Sequence, residues 1–455
     1  MTDLLDELHR RLPDARIRTD PRVLASYAQD RAVFESAGTA TALVVPRSTS
    51  EVVAAVEAAN AADVPVVPRG AGSGLTGAAN AIDGCLLVSL HRMDRIIDID
   101  TTNRMARVEP GVVNADLKRA VDAHGLFYPP DPASVDFSSI GGNVATNAGG
   151  LCCVRYGVTR DFVVGLEVVL ASGAVLRTGR RTIKQTTGLD LTGLFVGSEG
   201  VLGIVTEITL RLIPAPPRPA TAVAYFDALP AAGTAIARVF ADGHQPSLME
   251  ILDQASLRQV EAVYRMDLDV DAACLLLIQT AGDGADESIR GIADICTDAG
   301  ATFVYHATDP DEGDLLIEAR RRVWPAMEQL GRLLLPEDVA VPRERLAELL
   351  AGIVQIGATT GAEMATIGHA GDGNMHPLFV MDPDDPDDIA RAKDAFTRIL
   401  DLALDLGGTI AAEHGIGTLK RAYVERELDP VQLAVQRSIR RTLDPHGRFN
   451  PGKAL

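Results

Sequence analysis

The feature that most limits how this chain can fold is a glycine-rich segment, Pro65–Asn80, which reads PVVPRGAGSGLTGAAN. Glycine has no Cβ, so the backbone of such a segment can adopt positive φ and its N–H groups can approach a ligand closely. Successive N–H groups in a tight loop form a concave site that suits an anion such as a diphosphate. The segment therefore predicts a diphosphate-binding loop.

Part of this loop also matches the sequence of another nucleotide-binding motif. Gly72–Gly77 spells G-x-G-x-x-G, and Asp98 follows at about the spacing of the acidic residue in the Rossmann fingerprint. That fingerprint requires a helix directly after the glycines, with the pyrophosphate at its N-terminus. Here only Ala78–Asp83 precede Gly84 and the next strand-like run. The context therefore excludes a Rossmann fold.

Length and charge limit the function classes. A chain of 455 residues is too long for one hydrophobic core and predicts two or more domains. The net charge of −19 argues against nucleic acid as a partner. No apolar run is long enough to span a bilayer, and the first residues resemble an amphipathic helix, not a signal peptide. Five unpatterned cysteines favour a reducing compartment, so we expect a cytoplasmic location.

The first part of the chain alternates strands and helices. A β-α-β unit is predicted from Ala42–Val45, a helix capped at Ser48, and Val64–Val67. Antiparallel hairpins are predicted for two pairs of strands, Ile96–Asp100 with Met105–Glu109 and Val163–Leu170 with Ala174–Thr178.

Two further glycine-rich segments follow the first loop. Tyr128–Gly150 combines glycines with short hydrogen-bonding side chains, and we expect it to be a polar loop that shares a ligand with the first loop. In Leu194–Leu212, glycines precede a strand of β-branched residues. Prolines in Ile213–Ala220 then mark a domain boundary. Beyond it, alternating strands and helices predict an α+β cap domain with an antiparallel sheet.

A second group of chemically active residues lies in the last hundred residues. Residues 367–377 read IGHAGDGNMHP, and Glu413-His414-Gly415 follows a predicted helix. Two histidines and a glutamate with an open position form a common divalent-metal set. The spacing of His369 and His376 fits a loop or a strand pair. From the residues alone, a metal site and a pair of hydrogen-bonded core histidines are equally compatible with this pattern.

Four motifs in order carry a family resemblance: PRGAGSGLTGAAN, SSIGGNVATNAGG, GLEVVLASG and GSEGVLGIVTEITLRL. They resemble the FAD-binding domain of the vanillyl-alcohol oxidase and p-cresol methylhydroxylase (PCMH) superfamily. The resemblance implies an α+β fold with a two-part PCMH-type FAD-binding domain. Covalent members attach the flavin through histidine or cysteine, and Pro68–Asn80 contains no histidine, so we expect non-covalent FAD. The residues that it assigns to FAD are Arg69, Gly70, Ala71, Gly72, Ser73, Gly141, Gly142, Asn143, Thr146, Asn147, Gly200, Ile204 and Val205.

The second half resembles the FAD-linked 2-hydroxyacid dehydrogenases: D-lactate dehydrogenase, the glycolate oxidase FAD subunit and D-2-hydroxyglutarate dehydrogenase. H-x-G-D-G-N-x-H and E-H-G carry this resemblance. It implies that His369, His376 and Glu413 hold a divalent metal, Zn²⁺ or Mn²⁺, on which the substrate hydroxyl and carboxylate bind. It also implies that His414 is the base, that Arg320 grips the substrate carboxylate, and that Asn374 orients the substrate. The substrate carbon would then transfer hydride to flavin N5.

Residues that differ from the pattern of this family limit the class of substrate. The groups that read a second carboxylate in the 2-hydroxyglutarate enzymes correspond here to Trp324, Leu335 or Pro336, and Leu378. A buried second carboxylate would therefore lack partners. We expect oxidation of a D-2-hydroxyacid with one carboxylate, D-lactate or a glycolate-like acid, to the 2-oxoacid; a 2-hydroxyglutarate enzyme is the alternative.

The resemblance also implies a domain plan. It predicts an FAD-binding domain over 1–215 with its core at 38–215, a cap over 216–425 with the metal site, and a C-terminal segment, 426–455, that returns to the FAD-binding domain. Asn450 in that segment is expected to contact FAD.

Other interpretations remain open from the sequence. A metal-dependent hydrolase with structural glycine loops, a non-catalytic flavoprotein subunit and an oxidase that uses O₂ each fit part of the pattern. The electron acceptor, a quinone, a cytochrome or an electron-transfer flavoprotein, leaves no mark in the sequence. The chain is also compatible with a homodimer and with peripheral attachment to a membrane.

Overall fold

The computed structural model describes residues 3–307 and 309–455, and the chain divides into two compact units. Unit 1 comprises Met1–Gly149, Val158–Ala215 and Glu413–Leu455, and unit 2 comprises Gly150–Gly157 and Pro216–Ala412. Each unit is therefore assembled from segments that are far apart in the sequence.

The secondary-structure elements are numbered in chain order. The strands are β1 (Ile17–Arg18), β2 (Ala42–Val44), β3 (Val66–Arg69), β4 (Leu86–Ser89), β5 (Ile96–Asp100), β6 (Met105–Val108), β7 (Leu126–Phe127), β8 (Val163–Val169), β9 (Val175–Gly179), β10 (Ile204–Arg211), β11 (Ile213–Pro214), β12 (Ala220–Phe226), β13 (Leu248–Asp253), β14 (Cys274–Thr280), β15 (Phe303–Ala307), β16 (Leu333–Pro336), β17 (Val339–Ala340), β18 (Met364–His369) and β19 (Asn374–Met381). The helices are α1 (Leu4–Arg11), α2 (Pro21–Ala28), α3 (Thr49–Ala62), α4 (Asn114–Asp122), α5 (Ile140–Thr146), α6 (Cys153–Tyr156), α7 (Thr159–Phe162), α8 (Leu191–Phe195), α9 (Leu229–Ala241), α10 (Gln254–Tyr264), α11 (Ala285–Asp298), α12 (Pro310–Glu328), α13 (Leu346–Thr360), α14 (Pro386–Asp405), α15 (Val424–Glu427) and α16 (Pro430–Leu443).

Unit 1 contains a four-stranded sheet with the strand order β1-β2-β4-β3. Strands β2 and β3 both pair with β4 in parallel, so the predicted β-α-β unit is present with β4 between its two strands. Helix α3 begins where the Ser48 side chain accepts a hydrogen bond from the backbone N–H of Glu51. The connection from β3 to β4 contains no helix, which confirms the exclusion of a Rossmann crossover.

The other large sheet of unit 1 is antiparallel, with the order β5-β6-β10-β8-β9. It contains both predicted hairpins, β5–β6 and β8–β9. The predicted β-branched strand is β10, which lies at the centre and alternates buried with partly buried residues. This alternation is typical of a strand with one face on a core.

One prediction about unit 1 was wrong. The segment Tyr128–Gly150 was expected to be a polar loop, but it contains helix α5. The side chain of Ser139 accepts a hydrogen bond from the N–H of Gly142 and so caps the first turn. Gly141 and Gly142 have low intrinsic helix propensity, and the cap and the surrounding contacts override it here.

Unit 2 is an α+β structure built on one antiparallel sheet of order β15-β12-β14-β13-β18-β19-β16, with β17 paired to β19. Apolar side chains on one face of this sheet, such as Leu252 and Leu277, pack with Val323 of α12 in a buried core. This confirms the predicted antiparallel cap. Three consecutive strands, β13, β18 and β19, carry Glu250, His369, Asn374 and His376 of the candidate site.

Within the described ranges, every helix is either too short or too polar to cross a lipid bilayer.

Candidate active site

The predicted diphosphate loop joins β3 to β4 in unit 1, and it includes Ala71 and Ser73. Gly72 has φ 75° and Gly77 has φ 80°, in the left-handed region that glycine adopts readily. Arg69, expected to bind FAD, is buried and donates through Nη2 to the carbonyl oxygen of Gln29 at 2.9 Å. A Cβ on Gly72 would lie 2.2 Å from the same Nη2 atom, so Arg69 also supports the loop.

The second glycine segment lies against the first loop. A Cβ on Gly70 would come within 2.7 Å of Oγ of Ser139 and within 3.5 Å of Cα of Gly142. A Cβ on Gly141 would lie 2.5 Å from Cβ of Pro110. The structure thus brings together two segments that the sequence analysis assigned to one ligand.

The remaining residues predicted to bind FAD all belong to unit 1. Asn143 is buried and its Oδ1 accepts from Nδ2 of Asn114 at 3.0 Å. Asn147 ends α5 in the left-handed conformation, and Thr146 donates to the Gly142 carbonyl at 3.3 Å. Gly200 has φ 74°, and a Cβ there would lie 2.5 Å from Cγ of Pro68. Ile204 and Val205 begin strand β10.

The segment after Glu413 belongs to unit 1, and Asn450 joins it to the first loop. Its Nδ2 donates to the carbonyl oxygens of Ala78 at 2.9 Å and Glu199 at 2.7 Å. One residue earlier, Phe449 forms a parallel bridge with Val66 of β3. Asn450, expected to contact FAD, is therefore held beside the predicted diphosphate loop.

The residues of unit 1 fit a dinucleotide cofactor such as FAD. Both segments depend on glycine, because the contacts described above leave no room for a Cβ where the two backbones pack closely. In addition, Ser138 Oγ and Asn450 Oδ1 are buried without a hydrogen-bond partner in the described part of the chain. Buried polar atoms normally have such partners, and a bound cofactor can supply them.

Two buried ionisable groups under this loop, Glu199 and Lys453, were not predicted from the sequence. Both carboxylate oxygens of Glu199 accept from backbone amides, of Ile416 and Gly417, each at 2.7 Å, and burial raises the pKa of Glu199. Burial lowers the pKa of Lys453 to about 8, and its Nζ donates to the carbonyl of Asn80. The charge of Glu199 within the glycine-rich sequence GSEG was the available signal.

Glu413 and His414 also lie in unit 1, next to both glycine segments. A Cβ on Gly149 would lie 2.5 Å from Oε2 of Glu413. The carbonyl oxygen of His414 accepts from Oγ1 of Thr76 in the first loop at 3.4 Å. Nε2 of His414 lies 3.8 Å from Oε1 of Glu413, so a protonated imidazole would be next to a carboxylate.

In unit 2, His369 and His376 occupy a β-hairpin, as their spacing predicted. In the register of β18 and β19, His369 lies opposite Asn374, and His376 lies opposite Ile367. The two histidines are therefore diagonal neighbours on one face of the sheet. Their ring centroids are 5.2 Å apart, the ring planes are inclined at 82°, and both residues are buried.

Each of these histidines is held through Nδ1 by an oxygen atom. Nδ1 of His369 lies 2.6 Å from Oε1 of Glu250, and Nδ1 of His376 lies 3.2 Å from the carbonyl oxygen of Glu337. An acceptor at Nδ1 selects the tautomer that is protonated there, which leaves the lone pair on Nε2. Oxygen partners of this kind orient histidines that bind metals through the other nitrogen.

Arg320 and Asn374 join the same cluster. Nε of Arg320 donates to Oε2 of Glu250 at 2.7 Å, and the side chain is nearly buried. Among the described residues, the Nη groups of Arg320 donate no hydrogen bond. Nδ2 of Asn374 donates to Oδ1 of Asp338 at 2.7 Å and to the carbonyl oxygen of Val339 at 3.0 Å.

Two buried acids that were not predicted from the sequence organise this cluster. Glu250 and Asp338 are both fully buried. Oδ2 of Asp338 also accepts from the N–H of Ala412 at 2.8 Å, and Ala412 directly precedes Glu413 in the chain. The signal was available, because each acid interrupts an apolar run, LMEIL or LLLPEDVAV. A charge within a buried strand requires a partner.

Comparisons with known proteins agree with this organisation. Residues 40–179 match a family model described as "FAD binding domain", and residues 215–454 match "FAD linked oxidases, C-terminal domain". Glycolate oxidase subunit GlcD of Bacillus subtilis (strain 168) is 40% identical over 90% of this chain and 88% of the relative. D-lactate dehydrogenase of Anaerostipes hadrus is 31% identical over 100% of this chain and 97% of the relative.

Among solved structures, substrate-bound p-cresol methylhydroxylase matches with a TM-score of 0.81 and 18% identity, over 99% of this chain and 96% of that one. This likeness shows that the fold is of the PCMH type. Together with the family models and the sequence relatives, it establishes that the chain belongs to the FAD-linked oxidase family, as an FAD-binding oxidoreductase of the glycolate oxidase and D-lactate dehydrogenase kind.

Proposed function

We propose that this protein oxidises a D-2-hydroxyacid with one carboxylate, D-lactate or a glycolate-like acid, to the 2-oxoacid. The observation that carries the proposal is the buried pair His369 and His376, each held at Nδ1 by an oxygen atom. Such a pair suits a metal centre better than a hydrophobic core, where neutral packing would not need two oriented imidazoles. The names of the relatives, glycolate oxidase subunit and D-lactate dehydrogenase, support a 2-hydroxyacid as the substrate.

His369, His376 and Glu413 would hold the metal. Two imidazole nitrogens and one carboxylate with an open position form a common catalytic set for Zn²⁺, and Mn²⁺ is a second candidate. A divalent ion at this set would act as a Lewis acid and lower the pKa of the substrate hydroxyl.

Arg320 would bind the substrate carboxylate. Its Nε is engaged by Glu250, and the Nη groups remain for a planar carboxylate, which suits the fork of a guanidinium group. Fixing the carboxylate sets the distance from the hydroxyl carbon to the remaining groups, and this positioning accounts for much of the rate in such reactions.

The surroundings favour a substrate with one carboxylate. Leu378, at a position expected to read a second carboxylate, is buried in the apolar core of unit 2 with Leu334 and Val380. A second carboxylate placed against these side chains would lose its hydration without gaining a donor. A D-2-hydroxyglutarate enzyme is therefore the less favoured alternative.

His414 would take the proton of the substrate hydroxyl on Nε2. An unperturbed imidazole titrates near neutral pH and is suited to general base catalysis.

FAD, held non-covalently by the glycine segments of unit 1, would supply the two-electron acceptor for this oxidation. Asn374, fixed by Asp338, would help to orient the substrate. The reduced cofactor would pass its electrons to a separate acceptor, a quinone, a cytochrome or an electron-transfer flavoprotein.

The test is anaerobic mixing of the purified flavoprotein with a panel of D- and L-2-hydroxyacids while the flavin absorbance is recorded. We expect D-lactate or glycolate to bleach the flavin rapidly, L-lactate to be inert, and D-2-hydroxyglutarate to react more slowly. If none of the acids bleaches the flavin, the proposal fails. A colourless protein that hydrolyses esters or amides in the presence of Zn²⁺ would support the hydrolase alternative.

A further inference from the structure

We propose that Glu250 is a positioning residue that holds His369 and Arg320 as one unit, so that metal affinity and substrate carboxylate affinity depend on the same buried side chain. This inference rests on the proposed function, because it assigns His369 to the metal and Arg320 to the substrate. It adds a residue that touches neither ligand and acts through the two side chains that do.

The two oxygens of Glu250 have separate partners. Oε1 lies 2.6 Å from Nδ1 of His369, and Oε2 accepts from Nε of Arg320 at 2.7 Å. The partners come from different elements, because His369 is on strand β18 and Arg320 is on helix α12. A single carboxylate therefore fixes the relative orientation of an imidazole and a guanidinium group.

The strand register explains why the contact to His369 is direct. Glu250 of β13 lies opposite His369 of β18 in an antiparallel pair. Side chains at directly opposed positions stand on the same face of a sheet with their Cβ atoms close together. Leu248 and Leu252 flank Glu250 on that face and belong to the apolar core.

Because Glu250 is buried, its negative charge needs a positively charged partner. Glu250 is fully buried, and a buried carboxylate is strongly unfavourable unless it is paired and hydrogen-bonded. Arg320 supplies the compensating charge, so His369 can remain neutral and donate from Nδ1. That tautomer keeps the lone pair on Nε2, which is the form that a metal requires.

The same pairing restricts Arg320. A guanidinium group bound through Nε to a fixed acceptor has its plane set, so the direction of its Nη groups is also set. Without the carboxylate, the guanidinium would be buried beside an apolar core with an unpaired charge and would move toward solvent. Loss of Glu250 should therefore disturb both ligand-binding side chains at once.

The variant that tests this is Glu250→Gln. Glutamine has nearly the same shape, but its amide offers one acceptor and one donor, so it cannot accept from both His369 and Arg320. We expect the FAD-loaded, metal-stripped full chain to bind Zn²⁺ about 10- to 100-fold more weakly by calorimetric titration. We also expect the KM for the hydroxyacid to rise more than kcat falls.

Asp253→Asn is the matched control. Asp253 lies on the same strand and is partly buried, and it accepts from the N–H groups of Ser256 and Thr366. This variant loses a hydrogen-bonded carboxylate of the same strand without touching His369 or Arg320, so its Zn²⁺ affinity should equal that of the wild type even if its melting temperature falls.

The inference is overturned if Glu250→Gln keeps its FAD and binds Zn²⁺ within about twofold of the wild type. It is also overturned if Asp253→Asn weakens Zn²⁺ to the same extent, because the effect would then be general destabilisation. A wild type that takes up Zn²⁺ at this site while no hydroxyacid bleaches its flavin would instead refute the proposed function and leave the role of Glu250 in metal binding intact.

Discussion

His376 lies diagonally across the β18–β19 hairpin from His369, with 5.2 Å between the ring centroids, and each ring is held at Nδ1 by an oxygen atom. If the pair binds a metal as proposed, a chelator should remove activity with D-lactate or glycolate while the flavin spectrum is retained. Added Zn²⁺ or Mn²⁺ should restore it. Steady-state rates and metal analysis of the same samples check this.

His369→Ala provides the companion measurement, because it should abolish the restoration by added metal. Full activity in a preparation that contains less than a tenth of an equivalent of any divalent metal would contradict the assignment of these histidines.

His414→Ala should retain FAD and lose flavin reduction. General bases typically contribute about 10²- to 10⁴-fold to a rate, so the anaerobic rate of flavin reduction should fall by at least about 100-fold. His244→Ala is the control, because His244 is a partly buried histidine of unit 2 whose Nδ1 contacts Oγ of Ser288. Unchanged reduction in the His414 variant, at any pH between 6 and 9, would eliminate this residue as the base.

Arg320→Lys should raise the KM for the hydroxyacid by about 10- to 100-fold, because a hydrogen bond to a charged group contributes about 1.5–3 kcal/mol. Lysine keeps the charge but cannot offer two parallel donors to a carboxylate. A parallel titration with the 2-oxoacid product should show the same loss of affinity. Arg321→Lys is the neighbouring control, because that side chain is exposed and, within the described part of the chain, its ion-pair partner is Glu318. Equal KM values for the two variants would contradict the assigned role.

Gly200→Ala and Gly84→Ala form a matched pair that tests the FAD-binding segments. Both glycines have similar positive φ, 74° and 76°, so both substitutions carry the left-handed strain of about 1–2 kcal/mol. A Cβ at Gly200 would in addition lie 2.5 Å from Cγ of Pro68, whereas a Cβ at Gly84 would meet no atom of the described residues within 4 Å. We expect reduced FAD content only in Gly200→Ala, measured as the ratio of flavin to protein absorbance. The same FAD content in both purified variants would refute this.

Asp253 predicts a pH-dependent stability difference. Burial raises the pKa of Asp253 to about 6, so the folded protein holds its proton more tightly than the unfolded chain. This tighter proton binding stabilises the folded state fully below about pH 4, and the stabilisation is lost as the pH rises through 6. Asparagine cannot ionise. The free energy of unfolding of Asp253→Asn, relative to that of the wild type, should therefore rise by up to about 3 kcal/mol between pH 4 and pH 7. Denaturant unfolding of both proteins across this range measures the difference, and a difference that does not vary with pH would contradict the prediction.

Much of the fold follows from local patterns in the sequence. The hairpins around Val163–Leu170 and the helix capped at Ser48 carry alternation and capping signals that act over a few residues. Helix α5 was missed because its glycines oppose helix formation, while Ser139 and the contacts with Pro110 and Gly70 stabilise it. Such contacts join residues far apart in the sequence and leave no local pattern.

Some residues of the candidate site could likewise be predicted from local motifs, and others could not. Histidines beside glycines were visible as a motif, and so was the arginine in EARRRVWPA. Glu250 and Asp338 were not identified, because their importance comes from which strand lies next to theirs. The pairing of β13 with β18 cannot be read from either strand alone. A charged residue inside an apolar strand is nevertheless a usable warning that a partner exists elsewhere.

The bridge between Phe449 and Val66 has a consequence for biosynthesis. During translation, all of unit 2 is synthesised after Val66 and before Phe449. Unit 1, which carries the cofactor-binding segments, therefore remains incomplete until unit 2 has been synthesised. Cofactor loading should therefore follow synthesis of residues 413–455, and an expression fragment ending near residue 215 should purify without flavin.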